Sequence, residues 1–180
     1  MNALTATLPF QEAQAKAAGF DISQMTRLAV MIVGGALSVL TLVALTRGLL
    51  GFAPAHPNMR SIAIMIHVAT VIPAIPLGAY LLLAPKGGER HKQLGKLWLV
   101  MMVTTASAAI FIKTGGSYSF IHIFIPMTFW ASFKVISSAR RGDMKTHKKE
   151  ILSLYLGALA IPGIVAFALP GRLMNVLLFW

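Results

Sequence analysis

The sequence predicts an all-α integral membrane protein: a bundle of five transmembrane helices, N-terminus in the cytoplasm and C-terminus outside. Three observations predict it. Of 180 residues, 57% are hydrophobic. The apolar residues fall in long uncharged blocks, and the basic residues are shared unequally between alternate loops.

Between successive Lys, Arg, Asp and Glu residues lie five charge-free windows, 28–46, 61–85, 97–112, 114–133 and 151–171. A helix needs roughly 20 apolar residues to cross a bilayer, so four windows qualify on length. The third is short, but Lys96 and Lys113 at its ends can snorkel, which places the start of its helix near Leu94. Residues 1–27 form a cytoplasmic N-terminal segment that carries Glu12, Lys16 and Asp21. It lacks the long apolar core of a signal peptide, and "FQEAQAKAAGF" suits a short helix on the membrane surface. Residues 28–47 read as an additional helix beside a four-helix core spanning 60–175. The tail 171–180, "GRLMNVLLFW", is too short to cross, and its Phe179 and Trp180 suit the outer interface.

The formal charge is +11, and its distribution follows the loops. Lys16, Arg27, Lys86, Arg90, Lys92, Lys96, Arg140, Arg141, Lys145, Lys148 and Lys149 fall on one side; Arg47, Arg60, Lys113 and Arg172 fall on the other. The richer side is cytoplasmic by the positive-inside rule, and it faces anionic lipid rather than nucleic acid. There are no cysteines, which excludes disulfides, iron–sulfur clusters and thiolate-bound metals.

The core reads as a tandem unit. Its first and third helices begin alike, with "MIH" ending at His67 and "FIH" ending at His122. Each then runs inward to a basic loop holding another histidine, His91 in "PKGGERHKQLGK" and His147 in "ARRGDMKTHKKE". The intervals are 24 and 25 residues. Two such units in one orientation are related by an axis along the membrane normal. The histidines sort into an outer pair, His67 and His122, and an inner pair, His91 and His147.

Histidines on facing helices supply both axial ligands of a low-spin haem iron. Small residues running inward from His67, namely Thr70, Ala74 and Gly78, would let a macrocycle approach the backbone. "TTASAA" from Thr104, and Gly157, Ala158 and Ala160, would do the same from other helices. The same residues serve plain helix packing. His67 lies in an apolar segment, where an imidazole needs a partner, either a ligand or a hydrogen bond to another helix. His122 lies nearer a helix end. His91 and His147 sit in basic loops, where a solvated histidine is ordinary, and His56 reads as a loop residue. At about 1.5 Å per residue, each inner histidine is more than ~30 Å from its outer counterpart, at the membrane surface. The outer pair is therefore the stronger candidate.

Other chemistries find little support. No spanning window holds an acidic residue, so a proton relay through Asp or Glu has no residues to use. Asp143 reads as a cap for the last helix or a partner for Arg140. Two histidines on the outer side fall short of the three or more ligands of a zinc site. Pro73, Pro76, Pro126 and Pro162 predict bends that make room or aid packing.

From residue 60 onward, "ERHKQLGKLW", "YSFIHIF", "ARRGDMKTHKKEIL" and "ALPGRLM" resemble, in order, an uncharacterised bacterial family of predicted membrane proteins, a domain of unknown function. The alternation of histidines over four helices is also similar, more distantly, to the di-haem cytochrome b proteins that move electrons from ascorbate across membranes. "HKQLGKLW" looks like the His-x-x-Leu-Gly stretch of ferric-reductase-like membrane domains. These likenesses imply one haem b between His67 and His122 and a second between His91 and His147. The inner histidines depart from the pattern in lying at or beyond helix ends.

The function expected is a small b-type-cytochrome-like electron carrier of the bacterial inner membrane, with His67 and His122 as iron ligands and no assigned catalytic residue. Arg60 and Lys113 outside, and Arg90, Lys92 and Lys148 inside, are placed to neutralise haem propionates. A quinol or a soluble reductant suits the inner donor, and a homo-oligomer is compatible with this scheme. The alternative is a non-enzymatic scaffold or transporter-like bundle whose histidines make structural hydrogen bonds.

Overall fold

The computed structural model describes residues 22–55, 61–113 and 117–180. The expected N-terminal surface helix, His56 and Arg60 lie outside the described residues. Helix α1, Gln24–Leu49, opens on Ser23, whose hydroxyl accepts the Thr26 N–H at 3.2 Å. That bond satisfies one of the donors a helix start leaves unpaired. Val30, Gly34, Leu37, Thr41 and Ala44 form its buried stripe at alternating spacings of four and three, one face of a helix. Helices α2, Ile62–Leu83, and α3, Glu89–Ala109, follow. A 3₁₀ turn, Phe120–Ile123, leads into α4, Phe124–Arg140. Helix α5, Met144–Ala168, contains a π-helical stretch, Ser153–Ala160. The short α6, Leu173–Phe179, closes the chain.

Four helices are long and apolar enough to cross a membrane: α1, α2, α4 with its leading turn, and α5. Helix α3 is long enough at 21 residues, but its first turns carry Glu89, Arg90, Lys92 and Lys96. Only 17–28% of the four apolar windows is buried inside the bundle. The remaining faces present side chains such as Ile32, Leu42, Ile62 and Phe133 outward, a surface suited to lipid rather than water.

The core helices form a ring in which α2 packs on α3, α3 on α4, α4 on α5 and α5 back on α2. Helices α2 and α3 run antiparallel in a fixed register. The Trp98 indole N–H donates to the Ala74 carbonyl at 2.9 Å, and His67 Nδ1–H donates to the Thr105 carbonyl at 3.1 Å. Both bonds advance by seven residues on each helix, two turns, so one face of α3 follows one face of α2. Thr70 and Thr105 hydroxyls meet at 2.7 Å between them.

The packing centre is Gly78. A Cβ there would lie 2.6 Å from Tyr155 Cδ2 and 2.7 Å from Trp98 Nε1. Both aromatic side chains are almost wholly buried. Tyr155 comes from the π stretch of α5, and its hydroxyl donates to the Ile75 carbonyl at 3.2 Å. Pro162 follows that stretch and lacks the N–H of an ordinary helical turn, a usual setting for a widened helix.

Two boundaries differ from those the charge pattern predicts. Helix α5 begins at Met144 rather than near 151, because Asp143 caps it and its basic side chains sit on its outer flank. Asp143 Oδ1 accepts the Thr146 N–H at 3.0 Å, as the sequence anticipated. Helix α4 proper begins at Phe124 rather than at 114. Helix α1 packs on α2, α5 and α6, with Gly34 beneath the Tyr155 hydroxyl and Leu37 against Gly163. The tail likewise docks, since Leu177 and Asn175 are buried and Arg47 Nε–H donates to the Leu177 carbonyl at 3.2 Å.

The Asp143 cap carries a pH signature. The Thr146 hydroxyl first, and the Thr146 N–H second, hold the Asp143 carboxyl below its ordinary pKa. A depressed folded pKa adds stability above the unfolded value, and that stability is lost as pH falls through the folded one. Asp143→Ala is expected to lower the melting temperature at pH 7. The gap to wild type should then shrink steadily as pH falls below about 4, the ordinary carboxylate range. A gap of constant size across that range would show that the carboxylate does not act as the cap.

Candidate functional site

The outer histidines belong to two separate structures. His67 sits at the outer end of the α2–α3 seam, and donation from Nδ1–H to Thr105 leaves the Nε2 lone pair available. His122 sits in the 3₁₀ turn before α4. Its Nε2 is 2.8 Å from the Ile112 carbonyl oxygen, and its Nδ1 is 3.0 Å from the Ser119 N–H. A carbonyl only accepts, so Nε2 is protonated, and Nδ1 lies against both the Ser119 N–H and, at 2.8 Å, the Ser119 carbonyl oxygen. The ring therefore ties the end of α3 to the start of α4. The Ser119 hydroxyl is in turn held by Arg172 Nη2 at 3.0 Å.

With both nitrogens engaged, His122 offers no lone pair to an iron. His67 and His122 share no partner, and their helices stand diagonally in the ring, with α3 and α5 between them. As they stand, these two residues do not fit an axial pair. The small-residue stripe beside them is also in use. Thr70 bonds Thr105, the Ala74 carbonyl takes Trp98, and Gly78 takes Trp98 and Tyr155.

The inner histidines each open a helix of the core. His91 lies in the first turn of α3 and His147 in the first turn of α5, both within those helices rather than beyond their ends. His147 Nδ1–H donates to the Val135 carbonyl at 3.0 Å, which fixes the tautomer and leaves Nε2 as the open lone pair. His91 Nδ1 is buried and has no hydrogen-bond partner among the described residues. Burial first, then the His147 and Lys86 charges, hold the His91 pKa below its ordinary value.

The sequence signalled this geometry without its being used. Trp98 lies seven residues after His91, and Tyr155 lies eight after His147. Each histidine thus shares a helix face with an aromatic residue two turns deeper. Those two aromatics converge on Gly78. Neither was assigned a role from sequence.

The outer cations are largely structural. Arg47 and Arg172 hold backbone and hydroxyl oxygens near the C-terminal helix, and Lys113 lies over the Tyr118 ring at 5.1 Å. At the other end of the bundle, Arg90 lies over the Tyr80 ring at 5.6 Å. Among the described residues, no group of three or more His, Cys, Asp or Glu side chains is placed to hold a metal ion. Comparison with known proteins found no matching family model, no matching curated protein and no matching solved structure.

Proposed function

We propose that this chain is a small multi-pass membrane protein of the b-type-cytochrome kind, with haem b held at its cytoplasmic end by His91 and His147. One observation carries this: a buried, unpartnered ring nitrogen on His91 near a histidine whose tautomer is already set to present its other nitrogen. An orphaned buried polar atom costs free energy unless something meets it. Haem, when bound, supplies one-electron exchange. His91 and His147 would hold its iron, and Lys86, Arg90, Lys92 and Lys148 would supply positive charge for its propionates. Trp98 and Tyr155 exclude water from the deeper side. A quinol or soluble reductant at the cytoplasmic face suits the donor. An outer haem on His67 and His122 would require the Ser119 N–H bond to be released.

The proposal includes five spans, N-terminus in and C-terminus out, in a bacterial inner membrane. Two points support it. Helix α3 follows α2 in register from Trp98 to Thr105, so a bilayer around α2 also surrounds that part of α3. Its Val100 is 62% exposed on the outer surface of the bundle, a lipid-facing position. The basic residues then gather at one end.

A second reading has its own observation. His67, His122 and His147 each donate to a backbone carbonyl, as in a non-enzymatic scaffold or transporter-like bundle tied together by imidazoles. A reduced-minus-oxidised visible spectrum of the protein expressed with added haem separates the two. A low-spin b-type signal lost in both His91→Ala and His147→Ala, and kept in His67→Ala, is the expected result. Loss in the outer variants alone would move the haem to the outer pair. A folded, colourless protein would leave the scaffold.

A further inference from the structure

Helix α4 has two faces of different character. Thr128, Ala131, Ser132, Val135 and Ser138 are buried against the bundle. On the opposite side Trp130, Phe133 and Ile136 are exposed, and the same face runs down through Ser137 to Arg140 and Arg141. These last five, from Phe133 to Arg141, line one open groove. The helix ends there, and Gly142 at φ +72° turns the chain away, a conformation that favours glycine. The groove therefore changes from apolar to doubly cationic where the apolar segment stops.

Neither guanidinium has a carboxylate to itself. Among the described residues Arg140 makes no hydrogen bond or ion pair. Arg141 has only the nearby Asp143 carboxylate, which is committed to capping α5. The neighbouring cations are used differently: Arg90 lies over Tyr80, and Lys134 lies over Trp130 at 5.4 Å. The last carbonyls of α4 add negative potential that favours cations but gives them no planar anion to grip.

From this geometry we infer a phospholipid site: acyl chains lie along Phe133 and Ile136, and an anionic headgroup is held by Arg140 and Arg141 with Ser137 beside it. Guanidinium forks match phosphate oxygens in a bidentate manner that lysines do not. The aromatic and aliphatic stripe above supplies the apolar surface that an acyl chain covers. The occupant is an anionic phospholipid of the leaflet at the basic end of the bundle. That leaflet is cytoplasmic in the orientation proposed above. The site requires a bilayer around α4 and no cofactor, so it stands or falls separately from the haem.

Native mass spectrometry of the full-length protein, titrated with phosphatidylglycerol or phosphatidylcholine, tests it. Wild type is expected to retain phosphatidylglycerol over phosphatidylcholine. Arg140→Gln/Arg141→Gln should weaken phosphatidylglycerol binding about tenfold. Lys145→Gln/Lys149→Gln, which removes equal charge from exposed positions on α5, should leave it within about twofold. Equal weakening by both double variants, or no preference in wild type, would overturn the site. Phe133→Ala provides a test that keeps every charge: it should weaken phosphatidylglycerol retention and leave the binding of soluble glycerol phosphate unchanged. If Phe133→Ala has no effect, the arginines hold a free anion rather than a lipid, and the proposal fails.

Discussion

Gly78→Ala is expected to destabilise the bundle by about 2 kcal/mol, although alanine is the better helix former by about 1 kcal/mol. The added methyl would lie 2.6 to 2.8 Å from ring atoms of Tyr155 and Trp98, closer than carbon atoms pack. Neither ring is free to swing aside. Trp98 is tied to the Ala74 carbonyl and Tyr155 to the Ile75 carbonyl, both on the same helix as the glycine. Moving either ring breaks a buried bond, and moving α2 disturbs its register with α3. Gly35→Ala is the control, because a Cβ there meets nothing within 4 Å. It should be neutral or stabilising by up to ~1 kcal/mol through propensity alone. Denaturant or thermal unfolding in one detergent measures both. Equal behaviour of the two variants would show that the Gly78 contact is not closed.

The helices were legible because a bilayer imposes one rule on every spanning segment: apolar side chains outside and backbone bonds satisfied within. Charge-free windows therefore located four helices that the structure finds long and apolar enough to cross. Their ends were less legible. A window closes at the first charge, whereas α5 runs past Lys145, Lys148 and Glu150 to the Asp143 cap. Charged side chains on a helix end lie outside the apolar zone without ending the helix. The π stretch 153–160 has no signature of its own beyond Pro162 after it.

Of the candidate site, the placement of His91 and His147 at the starts of α3 and α5 was legible from position, but their hydrogen-bonding was not. Sequence alone makes a histidine in an apolar window look more functional than one among lysines. The structure shows why that inference is incomplete. His67 and His122 find carbonyl partners on Thr105 and Ile112, and no pattern of side chains announces a backbone oxygen. His91, beside Arg90 and Lys92, turns inward and leaves a nitrogen unmet. The stripe of Thr70, Ala74 and Gly78 was ambiguous between cofactor clearance and packing. What decides its use here is the pair of aromatics at the same helical phase on α3 and α5.

Trp98→Ala is the second large effect, and its value lies in combination with Gly78→Ala. Removing a buried tryptophan costs about 3–5 kcal/mol through lost contacts and an unfilled cavity. Here it also removes the donor to Ala74, although a transmembrane carbonyl already bonded within its helix suffers little from losing a second partner. Trp98→Phe, which keeps most of the volume and drops the N–H, should therefore cost far less than Trp98→Ala. In the double variant Gly78→Ala/Trp98→Ala, the methyl and the vacated indole compensate in part. The combined loss should fall short of the sum by at least ~1 kcal/mol, the coupling expected of groups in direct contact. The compensation cannot be complete, because Tyr155 still presses on position 78 from α5 at 2.6 Å. Strict additivity would separate Trp98 from Gly78, and with it the contact that fixes the register of α3 on α2.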